Sequence, residues 1–281
     1  MFTSLSLGAI GVKVDGLAQG LALAAKHGFG GYHFSIGEAH QLGAPRVTQL
    51  AQEAGVRLSA FGFPLNFRAD DATFEKDLQA LPALARTAAD LGVHRTATWI
   101  TPASAELSYA DNLAQHASRL QPAASILAEH DIRLGLEYVG PKTSREGKKH
   151  EFVHAMDEMS ELCDAVGDNC GYLLDAWHWY TAHEDASHLQ RLSPDQVVDV
   201  HVNDAPDRPV DEQIDNQRCL PGKTGVIDID TFLGSLKQIG YDGPVMVEPF
   251  SQRVRDELSQ RSEGFIERSE VTHEDRKGDT I

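Results

Sequence analysis

Cysteine is scarce in this chain and placed where it builds nothing: Cys163, Cys170 and Cys219 are three among 281 residues, an odd number with no C-x-x-C spacing. A disulfide framework and a structural zinc knuckle are both excluded, and a reducing cytoplasm is the expected setting. Long apolar runs are also missing. No segment approaches the roughly 20 apolar residues that span a bilayer, and the opening MFTSLSLGAIGVKVDG has no basic region ahead of an uninterrupted apolar stretch. A soluble, unprocessed protein that avoids membranes is expected. Basic residues are the third shortage, with 25 Lys and Arg against 42 Asp and Glu and a formal net charge of −17. Such a chain repels polyanions, so nucleic acid and anionic membranes are excluded as extended partners. A small neutral or singly anionic ligand remains.

What the chain has is enough apolar content, 41%, to bury a full core in one domain. Strand-like and helix-like stretches alternate throughout, the pattern of βαβ units and a parallel sheet. Eight repeats are visible, with strands expected at 4–10, 30–35, 57–63, 94–100, 133–139, 170–176, 197–202 and 244–250. Helical periodicity links Phe74, Leu78, Leu81, Leu84, Ala88 and Leu91, and again Leu113, Ala117, Leu120, Ala124 and Leu127. Gly92 and Gly240 stand where C-caps belong, Asp228 or Asp230 where an N-cap does, and Pro82 should kink or interrupt its helix. Two connections, 140–151 and 203–227, exceed a tight loop and are candidate lids. The barrel domain is expected over 1–262 and a polar tail over 263–281.

Four of the strands end on a metal-binding residue type: LGLEYV on Glu137, GYLLDAWH on Asp175, VVDVHVND on His201 and PVMVEPF on Glu248. Aliphatic residues fill each run, as in strands buried on both faces, so a charge at the C-terminal edge calls for a partner. In one closed barrel those edges share a mouth. Three carboxylates and one imidazole suit a hard or borderline ion, and a divalent ion would leave about one net negative charge. A single strand-end Glu is more often an ordinary salt-bridged residue; four in order are not.

Glu at the fifth strand, Asp-x-x-His at the sixth (Asp175 to His178), His at the seventh and Glu248-Pro249 at the eighth resemble the xylose isomerase-like barrel superfamily. Within it, HVNDAPDRP and LPGKTGVIDIDTFLGSLKQIGYDGPVMVEPF are similar to the sugar phosphate isomerase/epimerase group, which includes ketose 3-epimerases, hydroxypyruvate isomerase and the inosose isomerases and dehydratases. The resemblance is strong over roughly 130–250 and implies an α/β fold with a single (β/α)8 barrel and one divalent ion. Mn²⁺ is expected first, with Mg²⁺, Co²⁺ or Zn²⁺ as alternatives. Carried across, Glu137, Asp175, His201 and Glu248 match the metal ligands, and His178 matches a substrate-contacting histidine. Arg208, seven residues after His201, resembles an arginine near the substrate oxygens; a further catalytic glutamate of the epimerases is unmatched, because position 143 is Thr.

The implied activity is isomerisation or epimerisation of a small sugar, ketose, inosose or hydroxy-keto acid by proton transfer through a metal-stabilised enediolate. Glu137 and Glu248 are the expected proton carriers, one on each face of the substrate. Dehydration on the same scaffold is the alternative outcome. The three-zinc AP endonuclease type adds histidines that FGFPLNF, ATWITP and RCLPGKTG lack here, and a non-catalytic barrel would have been free to lose a ligand. Trp177, Trp179 and Tyr180 are candidates for an apolar sugar wall, as are Phe61, Phe63, Asn66 and Phe67 for pocket lining. Lys142, Arg145, Lys148 and Lys149 read mainly as solvated loop charges. A homodimer or homotetramer is expected from the resemblance.

Overall fold

Eight short parallel strands close into a ring. They are β1 (Phe2–Leu5), β2 (Gly31–Phe34), β3 (Arg57–Gly62), β4 (Arg95–Trp99), β6 (Arg133–Glu137), β8 (Cys170–Asp175), β9 (Val197–Val202) and β10 (Pro244–Val247). Their order around the barrel is β1-β10-β9-β8-β6-β4-β3-β2. Two further strands, β5 (Ala103–Ser104) and β7 (His150–Glu151), pair antiparallel above the ring and tie the loop after β4 to the loop after β6. The computed structural model describes residues 1–252 and Asp256, so the expected tail at 263–281 and the last residues of the expected 1–262 domain lie outside the described residues.

The helices are α1 (Leu17–Lys26), α2 (Ile36–Leu42), α3 (Ala44–Ala54), α4 (Asp71–Asp90), α5 (Tyr109–Ala128), α6 (Met156–Val166), α7 (Ala176–Thr181), α8 (Ala186–Gln190) and α9 (Ile229–Gln238). Local chemistry marks their ends. Asp70, Ser108 and Asp228 each accept the backbone N–H three residues ahead, supplying N-caps for α4, α5 and α9. Gly92 and Gly240 follow α4 and α9 with φ of 68° and 89°, the left-handed turn that suits glycine. The buried faces of α4 and α5 supply Leu81, Ala85, Ala88, Leu120, Ala124 and Leu127 to a core that also holds every residue of β8 and β9.

Two expectations change. Against a first strand over 4–10, β1 ends at Leu5, because pairing stops at Ser4 with β10 and at Leu5 with β2. The next residues turn across the mouth through Gly8 and Gly11, with Gly11 N–H donating to the Gly8 carbonyl. Pro82 does not interrupt α4, which runs from Asp71 to Asp90. A helix-interior proline costs about 3 kcal/mol. Burial of Leu81 alone, at about 1.5–3 kcal/mol, offsets much of that, and Ala85 and Ala88 on the same face add to it.

Candidate metal centre at the barrel mouth

Glu137 and Asp175 are the last residues of β6 and β8, and His201 lies one residue from the end of β9, paired in register with Asp175. Glu248 follows β10 and extends its ladder by donating its N–H to the Val202 carbonyl at 3.1 Å. Sheet geometry therefore delivers all four side chains to one level. One ligand atom from each lies within 4.8 Å of all the others. His201 Nδ1 is 3.3 Å from Glu248 Oε2, 3.8 Å from Glu137 Oε1 and 3.9 Å from Asp175 Oδ2. Two donors about 2.1 Å from a shared ion sit about 3.0 Å apart at right angles and about 4.2 Å apart when opposite. The spacing fits a single ion.

The donors themselves ask for a cation. Glu137 Oε1 is buried without a hydrogen-bond partner, an expensive state for a carboxylate. Burial, and then the nearby Glu248 and Asp175, push the Glu137 carboxyl well above its usual range. Burial alone would lower the His201 pKa, but Glu248 and the other carboxylates raise it to about 10. Burial would likewise raise Glu248, but His201 and Arg218 outweigh it and hold that carboxyl low. Without an ion the cluster stores protons in the place of a metal. The affinity for a divalent ion should therefore rise with pH between 6 and 8, by about tenfold per unit for the His201 proton. Competition against a chromogenic chelator at several pH values measures this, and a flat profile would contradict it.

Neighbouring side chains fix the ligands in place. Asp175 Oδ1 accepts the Trp177 N–H at 2.7 Å and Asn203 Nδ2 at 2.9 Å, which leaves Oδ2 for the centre. His178 Nδ1 accepts the Gly140 N–H at 3.2 Å, and its Nε2 lies 3.9 Å from Glu137 Oε1. Gly140 is obligatory there, since a Cβ would lie 2.4 Å from the His178 carbonyl oxygen. His178 thus reaches the cluster, as its Asp-x-x-His spacing suggested.

Arg208 does not reach it. Its carbonyl accepts from Gln213 in the loop after β9, and it lines neither cavity at the mouth. The guanidinium at the centre belongs to Arg218, with Nη1 2.9 Å from Asp175 Oδ2 and 3.0 Å from Glu248 Oε2, and Nη2 2.7 Å from Asp215 and 3.1 Å from His178 Nε2. Asp204 holds that loop: its carboxylate accepts the N–H groups of Thr224, Gly225 and Ile227, and its backbone pairs with Cys219 beside Arg218. The two long loops also meet, through Lys142 to Asp211 at 3.3 Å and Thr143 Oγ1 to the Gln213 carbonyl at 2.6 Å. Arg145 is held by Glu151, so the basic residues of the first loop are partly used up in pairing.

A cavity of about 340 Å³ opens over the cluster, lined by Glu137, His178, Asp215, Arg218 and Glu248 with Trp99 and Phe250. Its aromatic wall corrects the expectation. Trp177 is fully buried and Trp179 packs on Phe232, whereas Trp99, 48% exposed, faces the mouth. Phe61 is likewise a core residue.

A closed parallel barrel with this mouth can be compared with known families. The profile of the xylose isomerase-like TIM barrel family matches residues 21–271. The chain belongs to that family. Among solved structures, a xylose isomerase domain protein from Alicyclobacillus acidocaldarius is 31% identical, with a TM-score of 0.82 over 92% of this chain and 97% of that one. The IolI protein, solved with a zinc atom, shares the fold at a TM-score of 0.72 and 21% identity, covering 91% of each chain. Inosose isomerase of Halalkalibacterium halodurans is 31% identical over 129 residues, 45% of this xylose isomerase-like chain. The match spans 43% of that relative's length.

Proposed function

We propose that this barrel is a divalent-metal-dependent isomerase or epimerase of a small sugar, ketose, inosose or hydroxy-keto acid. The observation that carries the reading is the Glu137, Asp175, His201 and Glu248 cluster, with a partnerless carboxylate oxygen at its centre and a cavity above it. A mainly oxygen donor set with one imidazole favours Mn²⁺, with Mg²⁺ or Co²⁺ as alternatives. The zinc atom in IolI keeps Zn²⁺ among the candidates. The inosose isomerase relatives support the substrate class.

When bound, the ion would polarise a substrate carbonyl and stabilise the negative charge that develops on its oxygen. The chain does the rest. Glu137 and Glu248 come from strands well separated around the ring and line the same cavity, so one can take a proton beside the carbonyl and the other return it on the opposite face. Return to the same carbon gives an epimer and return to the neighbouring carbon gives an aldose–ketose isomer. Arg218 presents N–H groups to substrate oxygens and His178 lines the same cavity, and their contacts with Asp215 and Gly140 keep them oriented. Trp99 and Phe250 provide apolar surface for a sugar face. Expulsion of a β-hydroxyl instead would give dehydration, visible as a conjugated enone.

The test is proton exchange in D₂O with Mn²⁺-loaded protein and a panel of ketoses and inososes. Deuterium should enter beside the carbonyl, stop on chelation with EDTA and resume on adding Mn²⁺. Turnover indifferent to EDTA would remove the metal from the mechanism.

A further inference from the structure

A second and larger cavity, about 580 Å³, meets the cluster from the β1–β2 side. It shares Glu137, Glu248, Trp99 and Phe250 with the first and is also lined by His201 of the cluster, but its other polar lining is different: Ser6, Tyr32, His33, Ser35, Thr98 and Asp199. Among the described residues no lysine or arginine lines it.

Two of these groups are placed to bind and are left without a partner to bind. Asp199 is 2% exposed, and its carboxylate makes one hydrogen bond among the described residues, accepting the N–H of its own neighbour Val200 at 2.9 Å. A carboxylate at that depth is costly unless further donors reach it. Its placement is specific: β9 slips register against β8 between Tyr172 and Leu173, so that Val198 is an extra residue and Asp199 pairs with Leu173, two residues before His201 pairs with Asp175. Such bulges re-aim side chains next to sites. Across the chamber, Tyr32 turns its ring out against α1, where a Cβ on Gly20 would lie 2.2 Å from the Tyr32 hydroxyl. Alternation along β2 then turns His33 inward. Its ring nitrogens make no hydrogen bond with any described residue, and Asp199, His201 and Glu248 are the charges that face it.

We propose that this chamber is a polyol subsite, in which Asp199 and His33 bind substrate hydroxyls remote from the reacting carbonyl and Asp199 turns away a phosphate or carboxylate at that end. The inference rests on the functional reading above and narrows it to substrates uncharged at their far end. A buried carboxylate accepts hydrogen bonds from two neighbouring hydroxyls, and an imidazole with both nitrogens unused can donate to one oxygen and accept from another. The same carboxylate repels an anion in a chamber that no described lysine or arginine lines, so selectivity comes from the repulsive element as much as from the attractive one.

Titration calorimetry on the Mn²⁺-loaded full chain tests this with fructose and fructose 6-phosphate, which differ only in the charged group, and with 2-keto-myo-inositol as a second neutral probe. Wild type should bind the neutral probes at least about tenfold more tightly than the phosphate. Asp199→Asn, close in shape, should weaken neutral binding by about tenfold and narrow the gap to fructose 6-phosphate. His33→Gln should weaken neutral binding alone, and neither variant should change the unfolding temperature. In turnover the losses should fall on KM more than on kcat. Equal affinity for both fructose forms, no binding of any probe, or an unchanged gap in Asp199→Asn would each overturn the subsite. Selective binding without any proton exchange would uphold the subsite and overturn the isomerase reading.

Discussion

Replacing Glu248 by Gln is expected to abolish turnover while the barrel still folds. The side chain keeps its shape, but an amide cannot take a proton from carbon and cannot balance the positive charges beside it. Glu248 Oε2 lies 3.3 Å from His201 Nδ1 and 3.0 Å from Arg218 Nη1, and the guanidinium, with a bound ion in place of the His201 proton, would favour the ionised form a base requires. Losing a positioned proton carrier costs about 10²–10⁴ in rate, and losing one of four ion ligands adds to it. The unfolding temperature should move little, because Arg218 keeps Asp175 and Asp215 as partners. Near wild-type kcat with a bound ion would take Glu248 out of the mechanism.

The second large effect concerns Arg218. In Arg218→Ala, Asp175, Glu248 and Asp215 lose the guanidinium they share, in a site where that side chain is 3% exposed. Removing one partner of a buried ion pair costs about 3–5 kcal/mol, and little solvent screening is available here. The cost should depend on the ion, since a bound divalent cation would compensate two of the same carboxylates. Urea unfolding of the variant should show the full loss in EDTA and a clearly smaller one with Mn²⁺. The same loss under both conditions would mean that Arg218 and the ion do not share those carboxylates.

The four residues of the candidate centre were legible in the sequence because each breaks an aliphatic run at the end of a strand, where burial leaves a charge few structural uses. Barrel order then brings strand ends together without any detail of side-chain packing. Arg218 was hidden for the opposite reason. It sits in a long loop, where distance along the chain from His201 does not set distance in space, and counting residues pointed to Arg208. The nearest clue was the apolar Cys219-Leu220-Pro221 after Arg218 in a polar loop, where Cys219 pairs back onto Asp204. Asp199 stood in plain view inside VVDVHV, two residues before His201 and so on its face of β9, but alternation does not show that its carboxylate accepts only the Val200 N–H among the described residues. The aromatic wall was sought in Trp177, Trp179 and Tyr180 beside the Asp-x-x-His, although α7 buries both tryptophans, Tyr180 lines neither mouth cavity, and Trp99, from the end of β4, takes that place.

The central claim is proton transfer beside a carbonyl at the Glu137 and Glu248 mouth. NMR of an inosose incubated in D₂O with the Mn²⁺-loaded protein tests it most directly. Deuterium at the carbon next to the carbonyl, absent in EDTA and absent with Glu248→Gln, is the predicted result. Conversion of a ketose or inosose with no deuterium at that carbon, or equal incorporation with and without the metal, would contradict it.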